Sequence, residues 1–214
     1  MREDVWLGER LGRPAFTLDD ADDPSATVGA GFYQAKVACE AVGRVHALEA
    51  AGFRVVDVGV TLRREPAPLA GPEAIEVSGP HASERAAVLE IAEQGFSRSR
   101  FHLDPEIGAD TAAAIKRDWG AALFDGARGE RLLVARSAGA VVGFIGLLAG
   151  PVIDLIAVRA NARGRGAGRA LVAECADARV TVGTQVANTG ALRFYERLGF
   201  ETVAATYVLH LHRA

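Results

Sequence analysis

Six consecutive residues, Arg163-Gly164-Arg165-Gly166-Ala167-Gly168, carry the clearest chemistry in this 214-residue chain. The apolar run Ile156-Ala157-Val158 precedes them and Arg169-Ala170-Leu171 follows. A buried strand that enters a glycine-rich turn and then a helix makes several backbone N–H groups converge on one point. Such a point suits a pyrophosphate. Glycines let the backbone come close to the ligand, while Arg163, Arg165 and Arg169 add charge and forked donors. A Walker loop would need a Gly-Lys-Ser/Thr ending, which is missing. A Rossmann turn would need Gly-x-Gly-x-x-Gly on a first strand. Here the spacing is Gly164-x-Gly166-x-Gly168, late in the chain. A plain arginine-rich turn is the remaining alternative.

The other reactive residue types are less organised. Cys39 and Cys175 lie far apart, match no metal or redox spacing, and stand in apolar surroundings, which predicts a reduced cytoplasmic protein with no cysteine nucleophile. His210 and His212 alternate on the last strand, but no third ligand accompanies them in the sequence. No metal site is expected.

Elements that position these residues follow from hydrophobic period and turn chemistry. Helices are expected over 84–94, capped by Ser83, and over 109–124, 166–178 and 189–198. Strands are expected over 74–77, 131–136, 140–148, 152–158, 180–185 and 201–210. The polar segment 96–105 reads as a loop. Hairpins followed by alternating strand and helix indicate a mixed α/β fold with a largely antiparallel sheet and flanking helices. Residues 66–72 (PAPLAGP) read as a linker, dividing a first part, 1–70, from a second, 74–214. Across that division, Glu49-Ala-Ala-Gly52-Phe53 and the apolar strand after it echo Glu196-Arg-Leu-Gly199-Phe200 and its strand. The echo points to a degenerate internal repeat. The glycine-rich turn has no counterpart in the first part, which is therefore expected to serve the substrate side.

Half of the residues are apolar and the net charge is −3, so no global field favours nucleic acid or an acidic membrane. Only Lys36 and Lys116 are lysines; arginine supplies the remaining positive charge. The first six residues lack the basic-then-apolar pattern of a signal peptide, and 140–158 contains too many turn formers for a membrane helix.

Taken with its surroundings, the turn resembles a known family. Arg163-x-x-Gly166-x-Gly168 is similar to the Arg/Gln-x-x-Gly-x-Gly/Ala signature of the GNAT superfamily of N-acetyltransferases. The likeness extends through Asn188-x-x-Ala191-x-x-Phe194-Tyr195-x-x-x-Gly199-Phe200 and covers roughly 74–214, with the first part as a smaller GNAT-like half. The resemblance implies acetyl-CoA as cosubstrate. Gly164 to Arg169 would hold its pyrophosphate through backbone amides. Main-chain groups of Ile156, Ala157 and Val158 would pair with the pantetheine arm, Asn188 would bond to it, and Tyr195 would protonate the leaving thiolate. Short segments at 34–37, 48–53, 96–101 and 184–189 also resemble the dTDP-fucosamine acetyltransferase family. They imply a small amine acceptor, a dTDP-linked 4-amino-4,6-dideoxyhexose.

Amide formation needs a base for the ammonium and an acid for the thiolate, with no covalent enzyme intermediate. Three residues are candidates for the base: Asp57 in an apolar strand, Asp154 in the strand before the turn, and His102 in the polar segment. Their ordinary alternatives are an edge-strand acid, a strand-end acceptor and a surface histidine. Acceptor contacts are expected from Gln34, Lys36, Arg100, His102 and Gln185, with Arg98, Phe101 and Trp119 offering further charge and stacking surface. A homodimer formed through the last strand is a further expectation.

Overall fold

The computed structural model describes residues 1–214. Its strands are β1 (Arg2–Glu3), β2 (Ala15–Leu18), β3 (Gly31–Ala38), β4 (Arg54–Arg64), β5 (Glu76–Ser78), β6 (Arg131–Ser137), β7 (Ala140–Leu148), β8 (Val152–Val158), β9 (Val180–Gln185) and β10 (Glu201–Arg213). The helices are α1 (Val5–Leu11), α2 (Val42–Ala50), α3 (Arg85–Gly95), α4 (Arg100–Leu103), α5 (Ala109–Phe124), α6 (Ala167–Ala173) and α7 (Thr189–Arg197). All strands join one sheet in the order β1-β2-β3-β10-β4-β9-β8-β7-β6-β5. Only β2–β3 and β8–β9 run parallel.

The centre of the sheet explains the sequence echo. Helix α2 and helix α7 stand 147 residues apart at both ends (42 to 189, 50 to 197), and each leads through a left-handed glycine, Gly52 or Gly199, into a long strand. Those strands do not stay with their own units. Strand β10 inserts between β3 and β4, and β4 inserts between β10 and β9. The pair Val37–Tyr207 has its counterpart, at the same displacement, in Val60–Thr184. Gly59 pairs with Thr206, its own counterpart, which marks a pseudo-twofold axis through the sheet. Each part of the chain thus completes the sheet of the other.

Alternation along the strands sends apolar residues to two helical layers. One face packs on α6 and α7 through Leu133, Ile145, Ile153, Leu171, Val182 and Phe200. The same face covers α2 at the β3–β10 end through Tyr33, Val37, Leu48 and Phe53. The opposite face packs on α3 and α5 through Val88, Ile91, Leu123, Phe144 and Leu155, and on α1 and α4 through Leu7, Phe32, Phe101 and Ile115.

Several boundaries differ from expectation, each for a local reason. Helix α3 is preceded by a 3-10 turn whose cap is His81, in a reciprocal bond pattern with Glu84, and not Ser83. Residues 100–103 coil into α4. Helix α6 stops at Ala173, and β10 runs on to Arg213. The 66–72 segment is no free linker. Arg64, buried, donates to the carbonyls of Leu198, Ala176 and Ala67, and Ala67 in turn donates to Ala176. Arg169 holds the Ala70 carbonyl, so the segment lies as a strap along α6. Finally, β10 is paired on both sides. It offers no edge to a second copy, so the expected pairing of last strands in a dimer is not available to it.

Candidate functional site

Strands β8 and β9 pair only at Val152–Thr181 and Ile153–Val182, then part. On its other side β8 stays paired with β7 as far as Val158. A register shift between β7 and β8 leaves Asp154 as the extra residue at the point of parting, and a bulge of this kind bends and twists a strand. The main chain of Leu155 to Val158 therefore faces the gap with no strand partner. An extended amide-bearing molecule can satisfy those groups as a strand would.

At the open end of the gap lies the glycine turn. Gly164 and Gly166 have φ of 76° and 90°, and Gly166 is the N-cap of α6. Arg163, Gly164, Arg165 and Arg169 are exposed. Arg163 donates to the Val158 carbonyl, Arg169 is turned to the strap, and Arg165 makes no bond within the protein. A cavity of about 290 Å³ opens beside the turn between α3 and the end of β8, lined by Glu90, Gln94, Val158, Arg159 and Arg163. On α7, the Asn188 side chain accepts from the Ala191 N–H at 3.3 Å, so its oxygen is spent on capping and its amide N–H groups remain. Tyr195 is 4% exposed, within the apolar cluster that contains Ile153 and Val182 at the vertex of the gap. Burial pushes its phenol well above the ordinary range, so it stays protonated.

The face of the sheet away from α6 and α7 gathers polar groups. Lys36, Val208 and Asp57 are lateral neighbours across β3, β10 and β4, and Gln185 pairs with Gly59 two residues along. Asp57 is 7% exposed on a central strand. Burial raises its pKa, against an opposing bond from the Val58 N–H and the charges of Arg100 and Lys36. Arg100, on α4, and Lys116, on α5, reach the same region. Burial brings the Arg100 guanidinium down to about 10 and the Lys116 ammonium to about 7. Lys36 keeps exposed surface, yet the protein around its ammonium and the charge of Arg100 lower its pKa. His102 bonds to Ser99 at 2.7 Å, and burial and the Lys116 charge lower its pKa.

Residues 128–202, from just before β6 to the start of β10, match the family model described as an acetyltransferase (GNAT) domain. SpsD, a spore coat polysaccharide biosynthesis protein of Bacillus subtilis (strain 168), is 30% identical over 150 residues, 65% of this chain and 52% of SpsD. The chain thus spans about half the length of the curated relative it matches. Among solved structures, a conserved protein of unknown function from Staphylococcus epidermidis ATCC 12228 has a TM-score of 0.65 at 17% identity, over 86% of this chain and 73% of that one. A GCN5-related N-acetyltransferase from Sphaerobacter thermophilus gives 0.61 at 20% identity, over 86% and 60%. A tandem GNAT protein from the clavulanic acid biosynthesis pathway gives 0.58 at 15%, over 85% and 64%. These likenesses carry the fold. Coverage of most of this chain, and not only of 128–202, fits a GNAT fold with a smaller GNAT-like half before it.

Against the GNAT frame, some expected site residues are placed elsewhere. Gln34 is buried and donates to Thr17 on β2 at 3.0 Å, so it does not reach the cleft as expected. Asp154 accepts from Trp119 Nε1 at 2.8 Å and from two nitrogens of Arg128, which makes it the strand-end acceptor and not a free base. Phe101 is 1% exposed, and Trp119 lies between Lys116 and Arg128, so neither ring offers a stacking platform. Cys175 is buried with its thiol pushed up to about 11.

A third group does stand beside the two histidines. Asp104 Oδ2 accepts from His210 Nδ1 at 2.6 Å and from His212 Nε2 at 2.8 Å. The sequence hid it, because it comes from the loop after α4. These are hydrogen-bond lengths to one shared oxygen, and Arg13 sits on the outer nitrogen of His212. The group reads as a buried network pinning β10 to α4. Burial holds His210 at about 4 and therefore neutral. Lys116 was also missed, although a signal existed. It stands between Ile115 and Trp119 on the apolar stripe of α5, where Ala112, Ile115, Gly120 and Leu123 are buried.

Proposed function

We propose that this protein transfers an acetyl group from acetyl-CoA to a primary amine of a small molecule, by direct attack within the gap between β8 and β9. The observation that carries the reading is the gap itself. It has an unpaired main-chain edge and a left-handed glycine turn at its mouth, with Tyr195 in the apolar cluster that includes Ile153 and Val182 and the buried Asp57 on the opposite face of the sheet.

The residues fit the cofactor. The backbone of 164–169 and Arg165 would take the pyrophosphate, and Ile156 to Val158 with the Asn188 amide would take the pantetheine arm. Acetyl-CoA supplies the electrophilic thioester carbonyl. Asp57 accepts a proton from the acceptor ammonium, directly or through a water, which frees the nitrogen lone pair for attack. Tyr195 O–H delivers a proton to the departing sulfur. The first part of the chain, 1–70, contributes the acceptor side through Lys36 and Asp57. The name of SpsD supports a saccharide acceptor, and the cationic face supports a nucleotide-linked 4-amino-6-deoxy sugar.

Release of free thiol from acetyl-CoA in the presence of a panel of amines tests the reading. Turnover with dTDP-amino sugars alone supports it in full. Turnover with other amines only discards the sugar nucleotide, and CoA binding without turnover with any amine discards the enzyme. Tyr195→Phe keeps the buried ring and removes the proton. It is expected to lower kcat on the order of 100-fold while leaving the CoA dissociation constant unchanged. Equal loss of both would assign Tyr195 to packing.

A further inference from the structure

The strand that lines the gap changes phase at Asp154. Ile153 belongs to the apolar cluster on the α6 side of the sheet, and Leu155 and Ala157 to the cluster on the α3 and α5 side. Ile156 and Val158 pack against the α6 side again. In a regular strand residues 153, 155 and 157 would share one face, so Asp154 is the extra residue that shifts the alternation. Its carboxylate is 6% exposed, and three donors reach it. Trp119 Nε1 and Arg128 Nε bond to one oxygen, and a second Arg128 nitrogen bonds to the other. Both partners are themselves held. The Lys116 ammonium and the Arg128 guanidinium stand over the Trp119 ring, and Trp6 of α1 meets it edge-on at 6.1 Å. The Arg128 N–H donates to the Ala122 carbonyl of α5.

We propose that Asp154, Trp119 and Arg128 are positioning residues for the cofactor. They pin the bulge at residue 154 and so set, from the α5 side, which main-chain groups of β8 face the gap. Their role rests on the gap being the acetyl-CoA site, as proposed above. Moving the extra residue by one position would exchange the faces of the side chains beside it and turn their N–H and C=O groups to the opposite edge. Apolar residues do not fix the position, because Ile153, Leu155 and Ile156 are similar in size and either layer accepts them. A carboxylate is different. It is tolerated only where donors meet it, and a guanidinium fork meets it in one orientation. The three bonds to Asp154 therefore select one register of β8, and Leu155 to Val158 present their main chain to the gap in that register.

Calorimetric titration of the full chain with CoA, steady-state kinetics and hydrogen–deuterium exchange test the role. Asp154→Asn keeps an acceptor for Trp119 but sets amide donors against the Arg128 fork, and Arg128→Gln removes the fork. The Arg128 side chain is 41% exposed, so its variant keeps the test open where Asp154→Asn fails to fold. Each substitution should weaken CoA binding and raise KM for acetyl-CoA about 10-fold, with kcat and the KM of the amine changed less than about 3-fold. The double variant should bind no more weakly than the weaker single one, because both break the same contact. Arg128→Lys, which still donates to the carboxylate, should recover part of the affinity. In the CoA-free protein the amides of 155–158 should exchange faster in Asp154→Asn, with those of β3 unchanged. A lower melting temperature and faster exchange throughout the sheet, with CoA affinity unchanged, would make Asp154 a structural residue and overturn the proposal. So would a loss confined to kcat. A wild type that binds no CoA would remove the cofactor reading of the gap, whereas variants that bind as tightly as a binding wild type would leave that reading and remove this one.

Discussion

Asp57→Asn should leave the chain folded and able to bind CoA, yet lower kcat/KM about 100- to 10,000-fold, the range that loss of a positioned general base produces. The substitution is nearly isosteric, and an amide oxygen still accepts from the Val58 N–H that now bonds to Asp57. What disappears is the ability to take a proton. The carboxyl is 7% exposed on β4, and burial raises its pKa despite the cations around it. The sign is fixed by that direction. A carboxyl with a raised folded-state pKa is favoured protonated, so its ionised form burdens the fold at neutral pH and the burden lightens as pH falls through the raised pKa. The Asn variant should therefore be at least as stable as the wild type at pH 7 by thermal melting. The wild-type rate should fall as pH drops through the same raised pKa, and the residual rate of the variant should lack that limb. A variant with full activity would return the base to His102 or to water.

Gly166→Val should abolish CoA binding, with a clear loss of stability. Gly166 holds φ at 90°, and a Cβ there would stand 2.4 Å from Pro72 Cγ of the strap. A branched residue in this conformation carries about 1–3 kcal/mol of backbone strain before any clash is counted. Relief requires either moving the strap, which Arg64 and Arg169 tie down, or turning the N–H groups at the start of α6 away from the gap. Gly164 provides the internal control. Its φ is 76°, but a Cβ there meets nothing within 4 Å. Gly164→Ala should cost strain alone, so its CoA affinity should fall far less than that of the Gly166 variant. Isothermal titration with CoA and thermal melting of both variants give the comparison. Equal affinity in the Gly166 variant would place CoA elsewhere.

The sequence by itself determined the local pieces. Turn chemistry and hydrophobic period are short-range properties, so β7, β8, β9 and α5 begin and end where their residues say they should. Gly166 and Gly168 mark the turn, and Tyr195 belongs to a recognisable closing segment, because both signals lie within a dozen residues. The echo of Gly52-Phe53 in Gly199-Phe200 announced a repeat for the same reason.

Tertiary structure decided what each piece faces. The exchange of β4 and β10 between the two halves depends on register over more than a hundred residues, and no local pattern encodes it. That exchange turned Asp57 from an ordinary edge acid into a buried carboxyl, and it closed β10 to a second copy. Gln34 was drawn away by Thr17, Asp154 by Trp119 and Arg128, and the supposed linker by Arg64, because polar groups inside a fold take the nearest partner that satisfies them. Lys116 and Arg100 show the opposite outcome. Helix α5 and helix α4 carry them into the interior, where neither forms an ion pair and the buried Arg100 Nε has no partner, and only the assembled fold reveals it.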